Sequence, residues 1–202
     1  MSPRKLSLSL ALFATLAGGP AVAAEEPGVR VFETVKGERY APFEDKSVRA
    51  LVVVFISTDC PVANYFQPTL RRLGAKHREA GVRFVMVHPD PGVSAEAARK
   101  HAEEYSVEAP VALDPKFEMA SRLAAEYTPE AVLVDRGGKV HYQGRVNDMY
   151  VSWGKKRRAP KREDLDIAIG EFLKGAKVSV PKTEPVGCYI PFPTEPKEKS
   201  EP

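Results

Sequence analysis

Ala50-Leu51-Val52-Val53-Val54-Phe55-Ile56, followed at once by Ser57-Thr58-Asp59-Cys60-Pro61-Val62-Ala63, is the stretch on which the fold turns. Seven apolar residues in an unbroken run, three of them valine, predict a strand buried on both faces. From Pro61 the period changes. Val62, Phe66, Leu70, Leu73, His77 and Ala80 recur at helical spacing until Gly81 ends the pattern. A buried strand running straight into a helix places Cys60 at the seam between them.

Outward from this seam the chain alternates between strands and helices. On the N-terminal side, Val29 to Thr34 and Tyr40 read as a hairpin around Lys36-Gly37-Glu38. On the C-terminal side come a strand at Arg83 to Val87, a helix from Ser94 to about Tyr105, a short strand near Val111 and a helix from Lys116 to Ala125. A closing hairpin follows, Ala131 to Asp135 and Val140 to Gln143, turned by Arg136-Gly137-Gly138-Lys139. The last helix, Glu163 to Leu173, is introduced by Pro160 and ended by Gly175. Alternation with a final antiparallel pair predicts an α/β sandwich with a mixed central sheet flanked by helices.

The seam is where a reactive thiol belongs. A helix N-terminus offers free N–H groups and the positive end of the helix dipole, which favour a thiolate. Pro61 suits the first helical turn, where its missing N–H would be unpaired anyway. The carboxylate of Asp59 opposes a second negative charge beside it. The sulfur of Cys60 is expected near the surface, and the competing reading is a buried, inert cysteine.

These residues carry a resemblance. Val53 to Ala63, with Pro68 beyond it, resembles the active-site strand and helix of the TlpA-like thioredoxins and the wider redoxin group, the alkyl hydroperoxide reductase/thiol-specific antioxidant class included. In that group an aromatic-rich strand leads to Cys-x-x-Cys, and a proline kinks the helix further on. Cys60 matches the first cysteine and Pro68 the kinking proline, while Ala63 stands in place of the second cysteine. Tyr127-Thr128-Pro129-Glu130-Ala131-Val132-Leu133-Val134-Asp135 resembles the cis-proline loop and strand of the same group. The resemblance, which covers roughly Val29 to Leu173, implies a thioredoxin-like fold. It also implies that Thr128 and Pro129, with Asp59 and Pro61, border the attacking sulfur and receive a bound partner. The peroxiredoxin signature places a threonine where this chain has Ser57 and a proline where it has Val53, so that motif is not displayed, and peroxide reduction stays open beside disulfide exchange.

The two ends add compartment and partner. Arg4 and Lys5, the apolar stretch Leu6 to Leu16 and the small residues Ala21-Val22-Ala23-Ala24 read as a secretory signal peptide over residues 1–24. Its apolar core is shorter than the about 20 residues of a membrane span. No later segment is long and apolar enough to cross a bilayer, so a soluble periplasmic or secreted protein is expected. The leader's two bases leave +1 of the chain's net +3, which gives no argument for a nucleic-acid partner. The basic run Lys155-Lys156-Arg157-Arg158, with Lys161 and Arg162, reads as a solvated loop. Two cysteines, Cys60 and Cys188, allow one disulfide in an oxidising compartment and do not resemble a zinc site, so neither metal nor other cofactor is expected. Of the four histidines, His77 reads as core, and His88 as core or exposed, with an approach to Cys60 as its alternative.

Residues 25–175 therefore form the expected domain, and residues 176–202 an extended tail, disordered from about Thr194. Within that tail Pro185-Val186-Gly187-Cys188-Tyr189-Ile190-Pro191-Phe192-Pro193 is apolar and carries the second cysteine. Packed over the active site, Cys188 would replace the absent local partner and resolve a mixed disulfide on Cys60. It could equally be a permanent staple, worth about 4–5 kcal/mol through the entropy of the unfolded chain, or pair with another protein. The reading is an oxidoreductase that acts on a protein disulfide or a peroxide and is restored by an external thiol reductant. Its alternative is a non-catalytic thioredoxin-like module that holds a partner or metal and contains a structural Cys60–Cys188 disulfide.

Overall fold

A computed structural model describes residues 30–193; the leader and the disordered end expected from Thr194 lie outside the described residues. The chain enters as a hairpin, β1 (Phe32–Glu33) antiparallel to β2 (Arg39–Tyr40). It then runs through β3 (Ala50–Phe55), α1 (Pro61–His77), β4 (Val82–His88), α2 (Ala95–Glu104), β5 (Val111–Leu113) and α3 (Glu118–Arg122). After these come β6 (Tyr127–Thr128), β7 (Glu130–Asp135), β8 (Val140–Gly144), a hairpin of β9 (Tyr150–Ser152) and β10 (Lys155–Lys156), α4 (Asp164–Leu173) and β11 (Cys188–Tyr189).

Five strands form the central sheet in the order β5-β4-β3-β7-β8. β3 is parallel to β4 and antiparallel to β7, so the sheet is mixed, as the alternation with a closing hairpin predicts. All six residues of β3 are buried because it is the central strand with both faces covered. Its side chains alternate. Val52 and Val54 face the layer built from Phe66, Leu70 and Leu73 of α1 and Leu165 and Ile169 of α4. Leu51, Val53 and Phe55 face Phe117, Ala120 and Leu123 around α3. Each fully buried aliphatic or aromatic side chain in these layers contributes about 1.5–3 kcal/mol of hydrophobic stabilisation. This is the thioredoxin-like sandwich that the sequence resemblance implies.

Local chemistry sets the boundaries. α1 stops at His77 and Gly81 takes a φ of +85°; a Cβ there would collide with the Ser47 carbonyl, so only glycine closes this turn. Ser94 caps α2 by accepting the Ala97 N–H at 3.1 Å. The helix expected over 116–125 contracts to α3 because Phe117 adopts a left-handed φ of +58°. The carboxylate of Asp114 accepts the Met119 and Ala120 N–H groups in its place. The basic run is a correction to the expected loop: Lys155 and Lys156 are paired in a hairpin whose turn carries Trp153 and Gly154. Among the described residues no helix is long and apolar enough to cross a membrane.

Candidate active site

Cys60 is the N-cap of α1, at the point where the chain leaves β3. Its sulfur accepts the Ala63 N–H at 3.5 Å and donates to the Thr128 carbonyl at 3.0 Å. The loop before it is fixed from both sides. Asn64 donates through Nδ2 to the Thr58 carbonyl at 2.9 Å, and its Oδ1 lies 2.8 Å from His101 Nε2. Because Oδ1 only accepts, that nitrogen carries the proton. Ser57 is engaged within the loop, its hydroxyl accepting the Asp59 N–H at 3.3 Å. Asp59 and Pro61 stand exposed on either side of Cys60.

Thr128 and Pro129 are joined by a cis peptide bond and both are buried beside the sulfur, where the resemblance places them. The loop that presents them is held by Glu130, a buried carboxylate that sequence reasoning passed over. One of its oxygens accepts the Glu126 and Tyr127 N–H groups at 2.8 and 3.1 Å; the other accepts Gln143 Nε2 at 2.8 Å. A glutamate one residue after the proline, at the head of an apolar strand, is the signal that was available.

The tail comes back across this site. At its near end Thr183 is gripped by three bonds. Its hydroxyl pairs with the Tyr142 hydroxyl at 2.7 Å and accepts the Arg145 N–H at 3.1 Å, and its own N–H donates to the Gln143 carbonyl at 3.0 Å. At its far end Ile190 is buried in the layer around Phe117, and the rings of Phe192 and Phe117 lie 5.1 Å apart. Between the two ends β11 pairs antiparallel with β6, Cys188 opposite Thr128 and Tyr189 opposite Tyr127. Gly187 makes this approach possible, since a Cβ there would run into the Thr128 carbonyl.

Two consequences follow for the thiols. Both are free. Cys60 was expected near the surface but is 0% exposed, because the tail lies over it, whereas Cys188 is half-buried. The Cys188 thiol is pushed up to about 12, chiefly by burial and then by its hydrogen bond and charge interaction with Cys60, with Asp59 adding to the effect. At neutral pH it is therefore a protonated thiol beside the other sulfur.

A family model described as AhpC/TSA matches residues 25–143. The chain belongs to the AhpC/TSA family. No curated protein matches the chain. Among solved structures it is similar to a hypothetical protein of Sinorhizobium meliloti 1021, at 25% identity and a TM-score of 0.70 over 82% of this chain and 91% of the other. An uncharacterized conserved protein of Geobacillus kaustophilus gives 27% identity and the same TM-score over 82% and 89%. A secreted Mycobacterium tuberculosis disulfide oxidoreductase homologous to E. coli DsbE shares the fold, at 16% identity and a TM-score of 0.50 over 69% and 93%. The AhpC/TSA match contains Cys60, Thr128 and Pro129 and ends before the Trp153 hairpin and the Cys188 tail.

Behind the AhpC/TSA site lie two histidines. His88, at the end of β4, is 0% exposed, and its ring meets that of His101 edge-on at 5.3 Å. Neither ring nitrogen of His88 has a hydrogen-bond partner among the described residues. Burial lowers it to about 4, with His101 adding to the effect. His88 is thus core, packed edge-on against His101. His77 is core as expected, its Nε2 2.7 Å from Asp166. Among the described residues no cluster of three or more histidine, cysteine or acidic side chains is arranged to hold a metal.

Proposed function

We propose that this chain is an exported thiol oxidoreductase in which Cys60 is the attacking sulfur and Cys188 the resolving one. The observation that carries the reading is the register of β11 on β6: Cys188 lies across from Thr128, whose carbonyl holds the Cys60 thiol. The Cys60 thiolate attacks one sulfur of a substrate disulfide and expels the other as a thiolate. Cys188 then attacks Cys60, releases the reduced substrate and leaves a Cys60–Cys188 disulfide, which an external dithiol reduces.

Burial and Cys60 itself hold the Cys188 thiol protonated, so its reactivity is coupled to the state of its partner. Once Cys60 is tied up in a mixed disulfide it can neither ionise nor donate a hydrogen bond, so both of the causes it contributes to raising Cys188 are removed. Resolution is thereby favoured after Cys60 has reacted rather than before. Two features favour disulfide exchange over peroxide reduction. Serine stands at Ser57 in place of the threonine of the peroxiredoxin signature, and Val53 sits in the middle of a buried strand rather than in a loop around the sulfur. Export is supported by the leader-like residues 1–24 and by the secreted oxidoreductase that shares the fold.

The full coverage of Cys60 by a tail pinned at both ends favours a second reading, in which the cysteines form a permanent staple in a binding module. A redox titration of the mature protein, with thiol trapping and mass analysis, separates the two. The exchange reading expects one two-electron couple within reach of ordinary dithiols; a staple expects a potential below about −300 mV.

A further inference from the structure

Because the tail occupies the strand-pairing edge of Thr128 and covers Cys60, a second protein has no free access to that side of the site in the closed form. Cys188 itself is only half-buried. It lines a groove of about 460 Å³ together with Tyr127, Ser152, Trp153, Val186 and Tyr189. Trp153 and Tyr189 are 61% and 74% exposed, more than any other large apolar side chain among the described residues. Indole and phenol rings exposed to water beside a cysteine are the composition of a recognition surface, not of a surface built only for solubility.

The groove also has a charged rim. Trp153 is presented by the β9–β10 hairpin, whose second strand is Lys155–Lys156, with Arg158 exposed just beyond it. Lys156 stands over the ring of Tyr65 at 4.7 Å, which fixes one of these charges on the hairpin face. Glu126 and Glu184 act on Tyr127 at the other end of the groove, so the rim is basic on the hairpin side and acidic on the loop side.

We infer that this groove is the docking site of the protein that reduces the Cys60–Cys188 disulfide, a dithiol protein with an acidic face, seated on Trp153 and Tyr189 with that face against Lys155 and Lys156. The inference rests on the redox pair proposed above. One thiolate of the partner attacks the sulfur of Cys188, the Cys60–Cys188 bond breaks and Cys60 leaves as the thiolate. The partner's second thiolate attacks its own sulfur in the mixed disulfide and frees Cys188. Two electrons pass to the chain, the partner becomes a disulfide, and its two thiol protons go to Cys60 and Cys188. Attack falls on this side because Cys188 lines the groove, whereas Cys60 is fully buried beneath the tail.

The test uses the oxidised mature chain and two reductants, an acidic thioredoxin and dithiothreitol. Mass analysis of the starting material first establishes that Cys60 and Cys188 are joined; if they are not, the redox-pair reading has failed, and the docking proposal falls with it. With the disulfide present, Trp153→Ala should slow reduction by thioredoxin at least about tenfold, as loss of an aromatic anchor does. The double substitution Lys155→Glu and Lys156→Glu should slow it comparably and reverse its salt dependence. Reduction by dithiothreitol should be unchanged in both. Trapping with a thioredoxin that lacks its second cysteine should leave the mixed disulfide on Cys188. Equal effects on both reductants, no effect on thioredoxin, or a mixed disulfide on Cys60 would overturn the proposal.

Discussion

Cys188 stands across an antiparallel pair from Thr128, and the carbonyl of that same threonine accepts the Cys60 thiol. One residue thus joins two cysteines that are far apart in sequence. The tail cysteine is paired, backbone to backbone, with the residue before the cis-proline. The following expectations test that arrangement.

Replacing Cys188 with serine should allow a mixed disulfide to accumulate on Cys60 after one turnover, because Ala63 has no sulfur with which to resolve it. Non-reducing mass analysis reads the adduct directly. If the cysteines form only a staple, the same variant accumulates no such adduct and loses about 4–5 kcal/mol of unfolding stability under oxidising conditions.

The tail controls access to Cys60, so loosening it should raise the alkylation rate of that residue. Gly187→Ala puts a Cβ against the Thr128 carbonyl, and Ile190→Ala removes the buried far anchor. A buried isoleucine truncated to alanine costs about 2–5 kcal/mol. If half of that falls on tail closure, Cys60 is alkylated at least about fivefold faster. Timed labelling with iodoacetamide and peptide mapping follows it, and unchanged rates in both variants would show that the tail does not gate the sulfur.

Cys60→Ser should bring the Cys188 thiol down from about 12. The Cys60 causes are removed while burial, the largest cause, remains, so the thiol should stay above its ordinary value. Thiolate absorbance against pH measures this. A Cys188 titration that is the same in both proteins would break the proposed coupling of resolution to the state of Cys60.

Glu130→Ala leaves the Glu126 and Tyr127 N–H groups without their acceptor and should destabilise the fold by about 2 kcal/mol or more. The same substitution should slow exchange at Cys60, because the loop that presents Thr128 loses its brace. Urea unfolding and single-turnover kinetics read the two effects. A loss of stability without a change in rate would confine Glu130 to folding.

Acid should unfold the protein through His88. Its folded value of about 4 lies below the ordinary 6.5, so the unfolded chain binds the proton more tightly. The stability it contributes is fully present above pH 6.5 and is lost as pH falls from there through 4, by about 3 kcal/mol in all. His88→Leu, which keeps the site apolar, should flatten the stability profile between those limits; a profile as steep as before would assign the acid lability elsewhere.

The thioredoxin-like sandwich was legible because its determinants are local: an unbroken apolar run for β3, a helical period from Pro61, a glycine turn at Gly81. The seam cysteine and the Thr128–Pro129 loop were legible for the same reason, each being a short motif. The burial of Cys60 was not. It depends on Ile190 and Thr183 finding partners far away in sequence, and no periodicity records such a contact. The Trp153 hairpin was hidden by its own charge, since Lys155 and Lys156 read as solvated while their backbones pair with β9. The brace supplied by Glu130 resembled an ordinary strand residue until its two backbone donors were seen.

The Pro181–Thr183 segment does more than lead to Cys188. It runs along Gln143 on β8, the outermost strand of the sheet, with Gln143 donating to the Pro181 carbonyl at 2.9 Å. At the opposite margin Val35 donates to the Val111 carbonyl of β5 at 2.8 Å, and Thr34 bridges to Ala112. Both open margins of the sheet are therefore partly sealed by neighbouring segments of the same chain, a guard against edge-to-edge association of copies. This divides the tail into two mechanical parts. The part up to Thr183 seals the margin of the sheet, and the part from Pro185 onward spans Cys60 like a strap made fast again at Ile190.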